Sequence, residues 1–178
     1  LTVLTNNGSG GFGLVSSPGV GTNVQWVVSA DVNSDGWVDL ITANNDLVGF
    51  PVMSTLSVLT NNGSGGYILS SSPSVGLNPR SVTAADVNPD GHPDVLTSNA
   101  DDNAISVLLN DGKARFTPAP GSPFAAKRHP YSSLAVRDFN GDGHPDVAAP
   151  LLESGEIGVY LGDGSGRFAP APGSPYRV

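Results

Sequence analysis

The chain has no cysteine. That removes disulfide stapling, thiol catalysis and thiolate zinc sites, while leaving the compartment open. It has no apolar run of membrane-spanning length, and no basic start precedes a cleavable apolar segment. Membrane insertion is therefore not expected, and any export signal would lie outside these 178 residues. Charge is scarce, at 13% of residues, and positive charge is scarcer: eight Lys and Arg stand against sixteen Asp and Glu, a formal net charge of −8. No nucleic-acid partner is expected, because that binding needs a positive footprint.

The acids that are present are clustered. Asp31, Asp35, Asp39, Asp86, Asp90, Asp94, Asp138, Asp142 and Asp146 supply nine of the sixteen, so the remaining seven are balanced by eight bases. Nearly all the net charge thus sits in three short loops, "DVNSDGWVD" (31–39), "DVNPDGHPD" (86–94) and "DFNGDGHPD" (138–146). Such crowding costs Coulomb energy unless a cation answers it.

In place of helix formers the chain carries Gly 23 and Pro 15, more than a fifth of its length. Two modules alternate. One is an apolar stretch, a glycine turn and an aromatic: "LTVLTNNGSGGF" (1–12), "LSVLTNNGSGGY" (56–67), "ISVLLNDGKARF" (105–116) and "IGVYLGDGSGRF" (157–168). The other is the acidic loop followed by a β-rich run such as "DVLTSN". The acidic loops begin 55 and then 52 residues apart, a period expected of a solenoid or propeller unit.

Strands fit these modules. Leu56, Val58 and Thr60 alternate with Ser57 and Leu59, and Ile105, Val107 and Leu109 alternate with Ser106 and Leu108. Asn7-Gly8, Asn62-Gly63, Asp111-Gly112 and Asp163-Gly164 predict tight hairpin reversals. Each full unit then holds four short antiparallel strands, which is a propeller blade. The proline-rich segments "FTPAPGSPF" and "FAPAPGSPY" are expected to link one blade to the next. The fold expected is all-β, with a leading half blade (1–21) and three blades (22–76, 77–124 and 125–178). Tandem sandwiches would carry the same duplication and stay open as the alternative. Propellers need at least about four blades to close, so the chain is expected to be a homo-oligomer or to be completed by the remaining blades of a longer chain.

Within each acidic loop, oxygen-bearing side chains recur at positions 1, 3, 5 and 9, and the backbone carbonyl of residue 7 adds a fifth donor. The candidate metal ligands are Asp31, Asn33, Asp35, Trp37 (carbonyl) and Asp39; Asp86, Asn88, Asp90, His92 (carbonyl) and Asp94; and Asp138, Asn140, Asp142, His144 (carbonyl) and Asp146. All-oxygen donors with several carboxylates suit calcium better than zinc or copper. About three calcium ions per chain are expected, in a structural role. The loops are not EF-hands: position 12, where that motif places a bidentate Glu, is Thr42, Thr97 and Ala149.

These loops, D31xN33xD35GxxD39, D86xN88xD90GxxD94 and D138xN140xD142GxxD146, alternate with "SVLTNNGSGGY", "SVLLNDGKARF" and "GVYLGDGSGRF". The pattern resembles the FG-GAP or VCBS repeats of integrin alpha-subunit propellers, secreted bacterial proteins and some fungal lectins. The resemblance implies a calcium ion in the loop joining the first two strands of each blade and a secreted or cell-surface setting. It does not settle an activity, since such repeats serve adhesion, sugar binding or as appendages of enzymes.

Other features read as structural. "GSGGFG" (8–13) matches G-x-G-x-x-G, but a dinucleotide site needs that turn to open a helix, and "LVSSPG" follows. A carboxylate-pair hydrolase would need two carboxyls facing across a substrate, and every clustered Asp has a better use as an expected ligand. His92 and His144 read as packing groups, since Trp37 stands at their place in the first loop. Phe12, Tyr67, Phe116 and Phe168 read as packing between blades. Two irregularities, a longer loop carrying Phe50, Pro51 and Met53 and a basic insert "AAKRHPYS" with Lys127, Arg128 and His129, are the places where specificity would sit. The function expected is a non-enzymatic, calcium-binding extracellular module for adhesion or ligand binding. A glycan is the favoured ligand class and an extracellular protein the other. The alternatives are a pure scaffold or an appendage of a larger secreted protein.

Overall fold

The computed structural model describes residues 1–45, 54–152 and 154–177. The loop expected to carry Phe50, Pro51 and Met53 lies outside them. Among the described residues all regular structure is strand. A leading hairpin pairs β1 (Val3–Asn6) with β2 (Phe12–Ser16). Three larger antiparallel sheets follow in chain order. The first holds β3 (Val24–Ala30), β4 (Asp39–Asn44), β5 (Ser54–Asn61) and β6 (Tyr67–Ser71), with β7 (Ser74–Val75) also on β5. The second holds β8 (Pro79–Ala85), β9 (Asp94–Asn99), β10 (Ala104–Asn110) and β11 (Phe116–Pro118), with β12 (Phe124–Ala125) on β10. The third repeats this as β13 (Ala135–Arg137), β14 (Asp146–Leu151), β15 (Glu156–Gly162) and β16 (Phe168–Pro170), with β17 (Tyr176–Arg177) on β15. These are repeated up-and-down units resembling propeller blades, and none of the sheets closes on itself.

The outer strand of each sheet is broken in two, and here the structure corrects the sequence reading. The proline-rich segments are not links between units. They are the outer strand itself, since β11 and β12 both pair with β10. An edge strand tolerates proline because only one of its sides carries a ladder. At the break, Ser122 Oγ accepts the Val107 N–H at 2.8 Å and the Ala119 N–H donates to the Val107 carbonyl at 2.9 Å. Ser174 and Ala171 do the same for Val159. The interruption therefore leaves no backbone group of the third strand unpaired at that point.

The hairpin reversals fall at the expected Asn-Gly and Asp-Gly pairs. Each spans five residues, and the side chain of its first residue collects the turn's N–H groups. Asn7 Oδ1 accepts from Ser9 and Gly11, Asn62 Oδ1 from Ser64 and Gly66, and Asp111 Oδ1 from Lys113 and Arg115.

The core lies between sheets. Alternate residues of a strand point to opposite faces, so Val95 and Leu108 pack back onto the first sheet, against Val32, Ile41 and Val58, while Leu96 and Val107 pack forward onto Leu134, Val147 and Tyr160 of the third. All of these are buried. Phe116 seats against the first of these cores and Phe168 against the second, its ring 5.3 Å from that of Phe124. Two of the four recurrent aromatics are thus inter-sheet packing as expected; Tyr67 is half-buried and Phe12 is 66% exposed. First strands of successive sheets are neighbours: Arg80 Nη1 on β8 donates to Gln25 Oε1 on β3 at 3.2 Å, and Ser81 Oγ donates to the Ser132 carbonyl at 2.9 Å.

Candidate functional site

The three acidic loops join the first and second strands of the three larger sheets, and they fold with a shared set of hydrogen bonds. The position-1 carboxylates Asp31, Asp86 and Asp138 each accept, on Oδ2, the N–H of the loop glycine at 2.9 Å. Gly36, Gly91 and Gly143 have φ of 86°, 87° and 88°, a conformation that L side chains rarely adopt. At position 3, the amides of Asn33, Asn88 and Asn140 donate to Oδ2 of Asp35, Asp90 and Asp142 at 2.7 to 2.8 Å. The other oxygen of each position-5 carboxylate accepts the N–H of residue 7. Positions 1, 3 and 5 are thereby drawn around one turn. The N–H groups of Gly143 and Gly141 hold the Asp138 carboxyl below its ordinary value.

Position 9 is different in kind. Asp39, Asp94 and Asp146 are fully buried. One carboxylate oxygen of each accepts the N–H of loop residue 2, from Val32, Val87 or Phe139, at 2.8 to 3.0 Å. The other accepts the N–H at or near the end of the third strand, from Asn61, Asn110 or Gly162, at 2.8 to 2.9 Å. The ninth Asp is a clip between its loop and the third strand of the same sheet. Burial outweighs these bonds for two of them, raising Asp39 above the ordinary carboxylate value and Asp94 to about 6.

Position 7 carries a packing role that the sequence reading anticipated. Trp37, His92 and His144 lie over the hairpin glycine of their own sheet, so a Cβ added at Gly63, Gly112 or Gly164 would come within 2.5 to 3.0 Å of the ring. His92 Nδ1 also lies 3.2 Å from Ser34 Oγ of the preceding loop, tying adjacent loops together.

Among the described residues no three carboxylate or imidazole groups gather into a metal cluster. The loops offer instead two carboxylates, one neutral amide oxygen and main-chain carbonyls in each turn, with the ninth carboxylate already engaged by two N–H groups. Carboxylate and neutral oxygens of this kind fit a hard cation. One atom supports that fit. Asn88 Oδ1 is buried with no hydrogen-bond partner, whereas its counterparts on Asn33 and Asn140 accept the N–H of Asp35 and Asp142.

Sequence reasoning missed a second repeated polar device. Asn44 Nδ2 donates to Ser57 Oγ at 2.9 Å, and Asn99 Nδ2 donates to Ser106 Oγ at 2.8 Å. The available signal was the Asn that ends both second strands. The basic insert is tied down, with the Lys127 N–H on Tyr160 Oη and the His129 N–H on Asn103 Oδ1, while Arg80 lies 4.6 Å from the Tyr131 ring centroid. Also unanticipated is a cavity of about 450 Å³ on the outer face of the third sheet, lined by Phe139, Val159, Ala171 and Tyr176 among others.

No curated protein matches the chain. A family model described as an FG-GAP-like repeat matches residues 89–149, from within the second acidic loop to just beyond the third, so this chain carries one such repeat over that span.

Proposed function

We propose that this chain is a calcium-stabilised repeat module of propeller type, with blades 22–76, 77–124 and 125–178 after a half blade 1–21, working outside the cell as a non-enzymatic surface for adhesion or ligand binding. The observation that carries the reading is the threefold recurrence of one hydrogen-bonded acidic loop at the same point of each sheet, with Asn88 Oδ1 lacking any partner in the second. Asp31, Asn33 and Asp35, with their counterparts in the other two loops, would hold the ion, the position-7 carbonyl and the ninth Asp completing the set. The ion would cancel the mutual repulsion of the loop carboxylates. It performs no chemistry in this reading. By linkage, calcium at about a hundred times its dissociation constant adds about 2.7 kcal/mol per site.

A binding role suits an all-β repeat fold of this kind. No helix of the described residues is long and apolar enough to cross a membrane. A glycan is the favoured ligand, with an extracellular protein next. The test is calorimetric titration of calcium into chelated protein, which should show about three sites per chain, falling by one in Asp142→Asn. No uptake would end the calcium reading. A glycan array on the calcium-loaded protein addresses the ligand separately: selective binding supports the sugar, and silence leaves the scaffold alternative.

A further inference from the structure

The two seams between the larger sheets of this chain are built from equivalent places but filled differently. Between the second and third sheets, β15 carries Gly158 and Tyr160, and Tyr160, only 2% exposed, lies over Gly158, where an added Cβ would come within 2.8 Å of its Oη. Its ring sits 5.1 Å from that of Phe124, the residue after the Ser122-Pro123 pair. Its Oη accepts the Lys127 N–H at 3.3 Å. Between the first and second sheets, β10 has Ser106 and Leu108 at the places of Gly158 and Tyr160, and Ser74 follows the Ser72-Pro73 pair. A leucine and a serine thus stand where the next seam has two rings.

The space those rings would fill is open. A cavity of about 240 Å³ lies between the two sheets, lined by Ser74, Val75, Ser106, Leu108, Pro118 and Ser122 among others. It continues outward from an interface already packed, since Leu108 and Val75 also belong to the core between the first and second sheets. Its walls are mostly apolar, with hydroxyls set into them. Ser106, 4% exposed, accepts the Asn99 side-chain amide at 2.8 Å and the Gly76 N–H at 3.4 Å. Both of its lone pairs are then engaged, and what it can offer a ligand is its own hydrogen. Ser122 Oγ accepts the Val107 N–H at 2.8 Å and likewise carries a hydrogen to donate. An apolar cavity of about 150 Å³ is enough to bind benzene. One ring therefore fits here with room for a substituent, and an oxygen on that ring meets a donor.

We propose that this cavity binds a phenol, whose ring takes the space that Phe124 and Tyr160 fill in the neighbouring seam and whose oxygen accepts the Ser106 hydroxyl. The site lies away from the acidic loops and is independent of calcium and of any glycan.

The test is titration of p-cresol into the 178-residue protein, followed by the backbone amide signals in nuclear magnetic resonance. Saturable shifts should centre on Ser106, Leu108 and Ser122, with a dissociation constant of about 1 mM or tighter. The double variant Ser106→Gly with Leu108→Tyr, which gives β10 the pair found in β15, should weaken p-cresol at least about tenfold by filling the cavity. Circular dichroism confirms that it is folded, and Ser74→Phe, at an exposed position, is the second filling variant. Ser106→Ala should weaken p-cresol about threefold to tenfold and leave toluene unchanged, as expected of one lost hydrogen bond. An acetylated and amidated Gly-Tyr-Gly peptide separates the sources: binding comparable to p-cresol assigns the site to a tyrosine side chain, and binding of p-cresol without the peptide assigns it to a free small phenol. No saturable shift with p-cresol, undiminished binding by the filled variants, or the same amides moving instead with methyl glucoside overturns the proposal.

Discussion

Removing the Asp94 carboxylate should destabilise the fold far more than removing any other carboxylate of its loop. Asp94 is fully buried and accepts two backbone N–H groups, from Val87 at 2.9 Å and Asn110 at 2.8 Å. In Asp94→Ala both donors stay buried and lose their acceptor, at about 1–3 kcal/mol each, so roughly 2–6 kcal/mol in total. Part of this is offset. Burial raises the Asp94 carboxyl to about 6, so the ionised side chain is itself held at a cost that alanine removes. The expected net loss is therefore about 2–4 kcal/mol at neutral pH. Asp90→Ala is the control: its carboxylate accepts the His92 N–H at the exposed surface, where water replaces it, and it should cost under about 1 kcal/mol. Urea denaturation with chelator present throughout reads both without the ion's contribution, and an unchanged slope confirms that stability alone has moved. Asp94→Ala within about 0.5 kcal/mol of the parent, or equal to Asp90→Ala, would refute the clip.

Stability of the ion-free protein should rise on mild acidification. Asp94 at about 6 and Asp39, both raised first by burial, bind protons in the folded state that the unfolded chain, at 3.8, does not. The Asp94 contribution is fully present below about 3.8 and is lost as pH rises through about 6, and that of Asp39 runs in the same direction. Asp138 runs the other way, since its lowered carboxyl favours the fold above the unfolded value. Melting temperature against pH should thus fall between pH 5 and 7 in ion-free protein, flatten in Asp94→Asn, and reverse with calcium bound; an unchanged slope in Asp94→Asn would sink the assignment. Gly112→Ala should cost about 1–2 kcal/mol for its left-handed backbone at φ 72°, and more because a Cβ would meet the His92 ring at 2.5 Å. In a double-mutant cycle His92→Ala should recover that excess, and strict additivity would show that the ring does not pack on the turn.

The parts of this fold legible in the sequence are those set by local chemistry. Period-two apolar runs such as Ile105, Val107 and Leu109 specify strands, and three aligned acidic loops with glycine at position 6 specify a repeated turn. What stayed hidden depends on partners distant in the chain. A proline-rich stretch reads as a linker because proline cannot donate to a ladder, yet "PAPGSP" is an interrupted edge strand, and the Ser122 hydroxyl that mends the break is recognised only once Val107 is beside it. Likewise the three acids of each loop cannot be ranked by burial from spacing. The ninth Asp stands apart because it is also the first residue of a central strand, which carries it into the sheet and onto the N–H of a residue sixteen or more positions away.

That placement joins stability to the candidate site. If all the loop carboxylates were solvent-facing ligands, loss of the ion would leave a floppy acidic turn with no hold on the sheets. Here the ninth carboxylate keeps each loop fixed to its own third strand by two N–H bonds, while positions 1, 3 and 5 are organised by the turn's own N–H and amide groups. The loop is ordered by its own hydrogen bonds, so the proposed binding of a cation would lose less conformational entropy. Across sheets, the Val32 carbonyl accepts both the Ala114 N–H and the Asn110 side-chain amide of the next unit at 2.9 Å. The first loop is thereby fastened to the second sheet as well as its own, so the proposed ion in that loop would act at the seam between units.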